Sequence, residues 1–285
     1  MQQNTNTKLT RFSSNRLKRP VKMRRLMALL ALLVIAAAIV GIVVAYGKLR
    51  DLWLEQCVIT DFPSQVRITE GAMVKAEIVA DQFGLRNGAN LALIDFAKRR
   101  EEILAKIPNV RDVTVTRHLP NRVDVVVEER KPFVRMNVCG KNRSSDRVAD
   151  ADGVVFLCLR GTQALPVIRE PQSPGTPPGR RLGDRARAAI RLLETCADAE
   201  FQDVQIQEVD VSPRDYLLVT LHDYSYLRLS WKDMDVGTPE GLSDLKSRLR
   251  NFAGLLRKRY LEVPVTWDAT GETADIITAN PQISL

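Results

Sequence analysis

The chain has 285 residues, 45% of them apolar and only 6% aromatic, which suits aliphatic β and α cores and leaves room for two modest domains and an anchor. Its formal net charge of +8 points at first sight to nucleic acid. However, eight of the 42 basic residues (Lys8, Arg11, Arg16, Lys18, Arg19, Lys22, Arg24 and Arg25) fall within residues 1–25, which hold no acid, and the other 34 balance the 34 acidic residues, so no basic face on a folded domain is required and nucleic-acid binding is not expected.

Residues 26–46 read LMALLALLVIAAAIVGIVVAY, without a charge. As a helix rising about 1.5 Å per residue, this stretch spans roughly 30 Å, the thickness of a bilayer core. A core helix of a soluble domain would show polar residues on one face, and a cleaved signal peptide would have a shorter apolar stretch with its small residues behind it. Here Ala36, Ala37 and Ala38 lie inside the run. The expectation is an uncleaved single-pass anchor with a basic cytoplasmic tail at 1–25, a transmembrane helix at 26–46 and a juxtamembrane linker at 47–57. The charge bias keeps the N-terminus in the cytoplasm and places residues 47–285 across the membrane, in the periplasm of a bacterium that has an outer membrane. That compartment permits disulfides. The cysteines are Cys57, Cys139, Cys158 and Cys196, and none has the C-x-x-C spacing of a zinc or redox motif. Cys139 and Cys158 each sit in an apolar stretch, either as a disulfide between neighbouring strands or as two buried small hydrophobes.

Residues 58–131 read as one unit. Val66-Arg67-Ile68 is extended. From Ala72 to Phe83 a helix repeats Val74, Ile78 and Val79 at helical spacing, and Gly84 ends it. Asn87-Gly88 is a turn. Asp95 caps a second helix carrying Phe96, Arg100, Ile103, Leu104 and Ile107, which Pro108 stops. Val110, Val113 and Val115 lead to a turn at Leu119-Pro120-Asn121-Arg122. The return strand alternates Val123, Val125 and Val127 with Asp124, Val126 and Glu128. The order is β-α-α-β-β: a three-stranded sheet with two helices on one face and an edge able to accept another strand.

The run from Gly84 through Gly88, Asn90 and Leu91 to Asp95 resembles the opening signature of a POTRA domain. The stretch holding Pro108, Val110, Arg117 and Pro120 resembles its middle, and the one holding Glu129, Arg130 and Pro132 its close. Three such pieces in order behind one anchor resemble the cell-division family FtsQ/DivIB. Outer-membrane assembly proteins carry several POTRA copies and a long β-barrel, for which this length is insufficient.

Residues 132–285 resemble that family more loosely. Phe133 to Val138 reads as a strand, Asp150-Ala151-Asp152-Gly153 as a turn, Val154 to Leu159 as a strand and Leu165 to Ile168 as the step into the next. A calcium loop at Asp150 and Asp152 would lack its later ligands and its terminal glutamate. Residues 171–183, with four prolines and three glycines, form a loop. A helix follows from Asp184 to Ala199, then strands at 204–211, 216–221 and 224–231, the last two joined by a turn at His222-Asp223. Thr238-Pro239-Glu240 starts a helix reaching about Tyr260. Strands at 263–267 and 273–278 close the domain around Asp268-Ala269-Thr270-Gly271. The expected fold class is α+β: one transmembrane helix, a POTRA domain and a mixed β-domain ending in an edge strand.

The chain shows no G-x-S-x-G, P-loop or G-x-G-x-x-G, and His118 and His222 stand without a second ligand type at metal spacing. A membrane-tethered wall hydrolase is thereby disfavoured, and no catalytic residue, metal, cofactor or small-molecule substrate is expected. The resemblance implies a bitopic divisome scaffold at the septum of the inner membrane. Its C-terminal strand, Thr273, Ala274, Asp275, Ile276, Ile277 and Thr278, would bind FtsB-type partners with FtsL-type proteins alongside, and its POTRA unit would contact targeting or wall-synthesis proteins. The cations Arg257 and Arg259, with Tyr260, either favour the negative end of their helix or pair with an acidic partner segment. A POTRA-bearing envelope-assembly or secretion component is the alternative.

Overall fold

A computed structural model describes residues 21–69, 71–138, 146–171, 175–232, 234, 238–258, 264–271 and 274–278. The chain falls into two units, Met1–Cys57 and Val58–Leu285. The first is one helix, α1 (Val21–Gln56). Its stretch Leu26–Gln56 is long and apolar enough to cross a membrane, with none of that apolar window buried. This is consistent with a single pass. The residues expected to link anchor and ectodomain continue the helix to Gln56, because Lys48, Leu49, Arg50, Leu52, Leu54 and Glu55 are good helix formers with no proline among them.

The second unit opens with a short helix α2 (Phe62–Gln65) and strand β1 (Val66–Thr69). Helices α3 (Ala76–Phe83) and α4 (Phe96–Lys106) follow, then the hairpin β2 (Val110–His118) and β3 (Arg122–Glu129). The sheet order is β1-β3-β2, with β1 parallel and β2 antiparallel to β3. Val123, Val125 and Val127 are buried beneath the helices with Val79, Phe83, Phe96 and Ile103, while Val126 on the opposite face is half exposed. Gly84 ends α3 at φ 72°, in the left-handed region where a side chain would be strained. Asp95 caps α4, its Oδ1 accepting from the Lys98 N–H at 3.1 Å.

Helix α3 starts four residues later than its apolar spacing suggests. The Glu129 carboxylate accepts from the backbone N–H groups of Ala72, Met73 and Val74, at 2.9, 2.8 and 2.6 Å. Those amides are thereby held in a loop, and Val74 reaches the core from outside the helix. Ile78 turns outward and is half exposed. A Cβ on Gly71 would overlap the same carboxylate, so the close approach requires glycine there.

The β-domain is a nine-stranded sheet covered on one face by two helices. Its strands are β4 (Val134–Val138), β5 (Arg147–Ala149), β6 (Val155–Leu157), β7 (Val167–Glu170), β8 (Ile206–Asp210), β9 (Tyr216–Leu221), β10 (Tyr226–Ser230), β11 (Thr266–Ala269) and β12 (Asp275–Thr278). The order across the sheet is β12-β11-β10-β9-β8-β7-β4-β5-β6. Helix α5 (Asp184–Cys196) ends at Cys196 rather than Ala199, and a 3-10 turn occupies 199–201. Helix α6 (Pro239–Arg257) begins as its sequence suggests, with the Thr238 hydroxyl accepting from the Gly241 N–H at 3.2 Å and Pro239 in the first turn. Buried side chains of both helices pack with Leu217, Val219, Leu227, Leu229 and Trp267 in one core.

The pair Arg130 and Asp150 joins the three-stranded sheet to the nine-stranded one. The Arg130 Nη1 donates to Asp150 Oδ2 at 2.6 Å with side chains 16% and 8% exposed, and its Nε donates to the Pro108 carbonyl at 3.0 Å. The other Asp150 oxygen accepts from the Val154 N–H at 2.8 Å. Around this latch, Asn109 donates to the Leu157 carbonyl at 2.8 Å and Arg111 pairs with Asp152 at 3.2 Å. The 150–153 segment is thus a turn, with Gly153 at φ 77°.

Candidate partner-binding edge

Among the described residues two sheets leave four edge strands, and they differ in what they offer a partner. The outer side of β6 is occupied: Val155 donates to the Arg180 carbonyl at 3.0 Å and Gly179 to the Val155 carbonyl at 2.7 Å. Edge β2 is guarded at its start by Arg100, whose Nε donates to the Val113 carbonyl at 2.9 Å and whose Nη2 pairs with Asp112 at 2.5 Å. That guanidinium bond holds the Asp112 carboxyl below its ordinary range. Edge β1 is four residues long and exposes Arg67 and Thr69. Charged side chains and short strands discourage pairing.

Edge β12 is also four residues long and carries one exposed charge, Asp275, but it exposes two adjacent isoleucines beside it. It pairs antiparallel with β11 in the register Trp267 to Ile276 and Asp268 to Asp275, with an irregularity toward Thr266 and Thr278. Cross-strand partners share a face. Trp267 stacks edge-on against Phe252 of α6, with ring centroids 5.5 Å apart, so Ile276 lies on the helix-covered face. Ile276 and Ile277 are 47% and 45% exposed, and Ala274 packs on the core. Asp275 lies on the opposite face beside Asp268. The Asp268 carboxylate accepts from the Thr270 hydroxyl at 2.6 Å and N–H at 2.9 Å, which, with Arg228 nearby, holds it below its ordinary pKa. Strand β11 begins three residues and ends two residues later than its apolar pattern suggests, with Asp268 and Ala269 in the strand rather than in the turn.

The structure brings together Ala274, Asp275, Ile276, Ile277 and Thr278 but does not leave Arg257 free for a partner. Arg257 Nε donates to Asp203 Oδ2 at 2.6 Å. It is one of three exposed ion pairs from α6 to the segment 198–203, with Lys246 to Asp198 at 3.0 Å and Arg250 to Glu200. The α6 cations are used at home. Arg259, Tyr260 and Thr273 lie outside the described residues.

The POTRA signature residues have structural tasks. Gly84 and Gly88 take positive φ, Asn90 Oδ1 accepts from the Ala92 N–H at 2.9 Å, and Leu91 is fully buried. Arg117 lies over the Phe96 ring at 5.4 Å, Val110 is buried, and Pro120 follows a cis bond in the hairpin turn. Glu129, Arg130 and Pro108 serve the contacts described above, and Pro132 is half-buried between β3 and β4.

His118 pairs with Asp124 at 3.0 Å. His222 lines a groove of about 390 Å³ with Gln202, Asp203, Asp223 and Arg257, without a serine, threonine or cysteine among its lining residues. Among the described residues no group of three or more His, Cys, Asp or Glu is placed to hold a metal ion. Cys57, Cys158 and Cys196 carry free thiols, so Cys158 is not bridged; Cys139 lies outside the described residues. Burial pushes the Cys196 thiol up to about 12.

Residues 63–130 match the domain family described as "POTRA domain, FtsQ-type". The chain is also similar to "Cell division protein DivIB" of Clostridium acetobutylicum, with 22% identity over 212 residues, covering 70% of this chain and 77% of that relative.

Proposed function

We propose that the chain, whose residues 63–130 match an FtsQ-type POTRA domain and which is similar to a DivIB cell-division protein, is a bitopic scaffold of the FtsQ/DivIB kind that gathers septal wall-synthesis components by donating the edge of its β-domain to an FtsB-type partner, with an FtsL-type protein alongside. The observation that carries this reading is β12, an end strand with two adjacent half-exposed isoleucines. A strand added there gains main-chain hydrogen bonds for affinity and alternating side-chain contacts for specificity. The N-terminus lies in the cytoplasm, the second unit across the inner membrane at the division septum, and the POTRA unit contacts targeting or wall-synthesis proteins. The reaction chemistry of the septum belongs to those partners.

The test is co-purification of the full chain in nanodiscs with FtsB-type and FtsL-type proteins from the same genome. Deleting residues 272–285 is expected to abolish the complex while the POTRA unit keeps its fold by circular dichroism and protease resistance. A complex that survives the deletion would sink the edge-strand mechanism.

A further inference from the structure

The outer face of the sheet at β12 ends in an uncompensated row of charge. Arg228 of β10, Asp268 of β11 and Asp275 of β12 stand in register across three strands. Cross-strand register puts all three on the face away from α6. Arg228 lies over the Tyr216 ring at 5.4 Å, and the Asp268 carboxylate is kept ionised by Thr270. The row therefore closes with two adjacent carboxylates, of which Asp275 is the outermost and is exposed. On the other face the row Trp267 and Ile276 closes with an aliphatic side chain that is 47% exposed.

Resting on the reading that β12 accepts a strand, we propose that the strand it accepts is a protein segment with a lysine or arginine opposite Asp275 and an apolar side chain opposite Ile276. A cation at that place stands about 5 Å from Asp275 between Cβ atoms and completes the alternation of charge across the sheet; an acid there repels. An apolar neighbour on the α6 face continues the cover over Trp267 and takes the exposed side of Ile276 out of water. A second copy of β12 does not meet these requirements, since its residues are Asp, Ile, Ile and Thr, with no cation to offer. The specificity of the edge is therefore for a basic, amphipathic strand and against self-pairing.

Biolayer interferometry with the full chain in nanodiscs, and the FtsB-type ectodomain from the same genome as probe, tests this. Asp275→Lys is expected to weaken binding about tenfold, the swing from an attractive to a repulsive cross-strand charge pair. Asp275→Asn should weaken it about threefold, and the difference between variants should shrink at high salt. Changing the facing lysine or arginine of the probe to glutamate should restore binding to the Asp275→Lys chain. Binding of Asp275→Lys within twofold of the unchanged chain, alongside loss of binding on deleting 272–285, would overturn the charge assignment and leave the edge-strand reading standing. Binding that survives the deletion would overturn both. Sedimentation showing dimers that dissociate on the same deletion would identify a second copy as the occupant and overturn the proposed one.

Discussion

Replacing Arg130 by methionine keeps the length of the side chain but removes the charge that meets Asp150. The two groups are 16% and 8% exposed, so Asp150 would be left as a buried carboxylate with the Val154 N–H as its remaining hydrogen bond. The Pro108 carbonyl would also lose its donor. Removing one member of a buried pair costs about 3–5 kcal/mol, and the retained bond from Val154 puts the expected loss near the lower end, about 3 kcal/mol. With a urea m-value of about 2–3 kcal/mol/M, the unfolding midpoint should fall by about 1–1.5 M. Urea unfolding of the full chain in mild detergent measures this through tryptophan fluorescence, because Trp231 and Trp267 both lie in the β-domain. Asp150→Asn keeps the turn hydrogen bond, and a double-mutant cycle with Arg130→Met should return a coupling of about 2 kcal/mol. A loss under about 1 kcal/mol for Arg130→Met, with coupling near zero, would refute the latch.

Two further outcomes follow from local hydrogen bonding. Glu129→Ala leaves the amides of Ala72, Met73 and Val74 without their acceptor. Stability should fall by about 2 kcal/mol, and those three amides should exchange with deuterium faster than their neighbours. Asp268 has a depressed folded pKa, so its contribution is present above the unfolded value of about 3.9 and is lost as pH falls through the folded value. Thr270→Ala removes the hydroxyl donor, so the carboxyl resonance of Asp268 should titrate at higher pH and the stability lost on acidification should shrink. An unmoved titration would show that the hydroxyl is immaterial.

Local chemistry was legible and distant chemistry was not. The left-handed Gly84, the cap at Asp95, the alternation of Val123, Val125 and Val127, and the Thr238-Pro239 start all depend on neighbours within a few residues, and each stands as its pattern suggests. The late start of α3 depends on Glu129, 57 residues from Ala72, so helical spacing alone placed Val74 in the wrong element. Arg257 resembled a free cation at a helix end because Asp203 lies 54 residues away. Strand β5 is three residues long, too short for alternation to declare itself. The candidate edge was legible as the last apolar stretch. Its polarity was not, because the register of Asp275 with Asp268 and Arg228 exists only once three strands are aligned.

The latch and the docking edge stand at opposite ends of one sheet. Strand β6, beside the POTRA contact, and β12 are separated by eight strand spacings, roughly 38 Å along the curve of the sheet at about 4.8 Å each. The hydrogen-bonded direction thus acts as a ruler that holds the Arg130–Asp150 contact and β12 apart. It is also a mechanical element with a preferred axis. A partner tugging along the strand direction loads all its backbone hydrogen bonds together in shear, whereas one pulling outward opens them one after another.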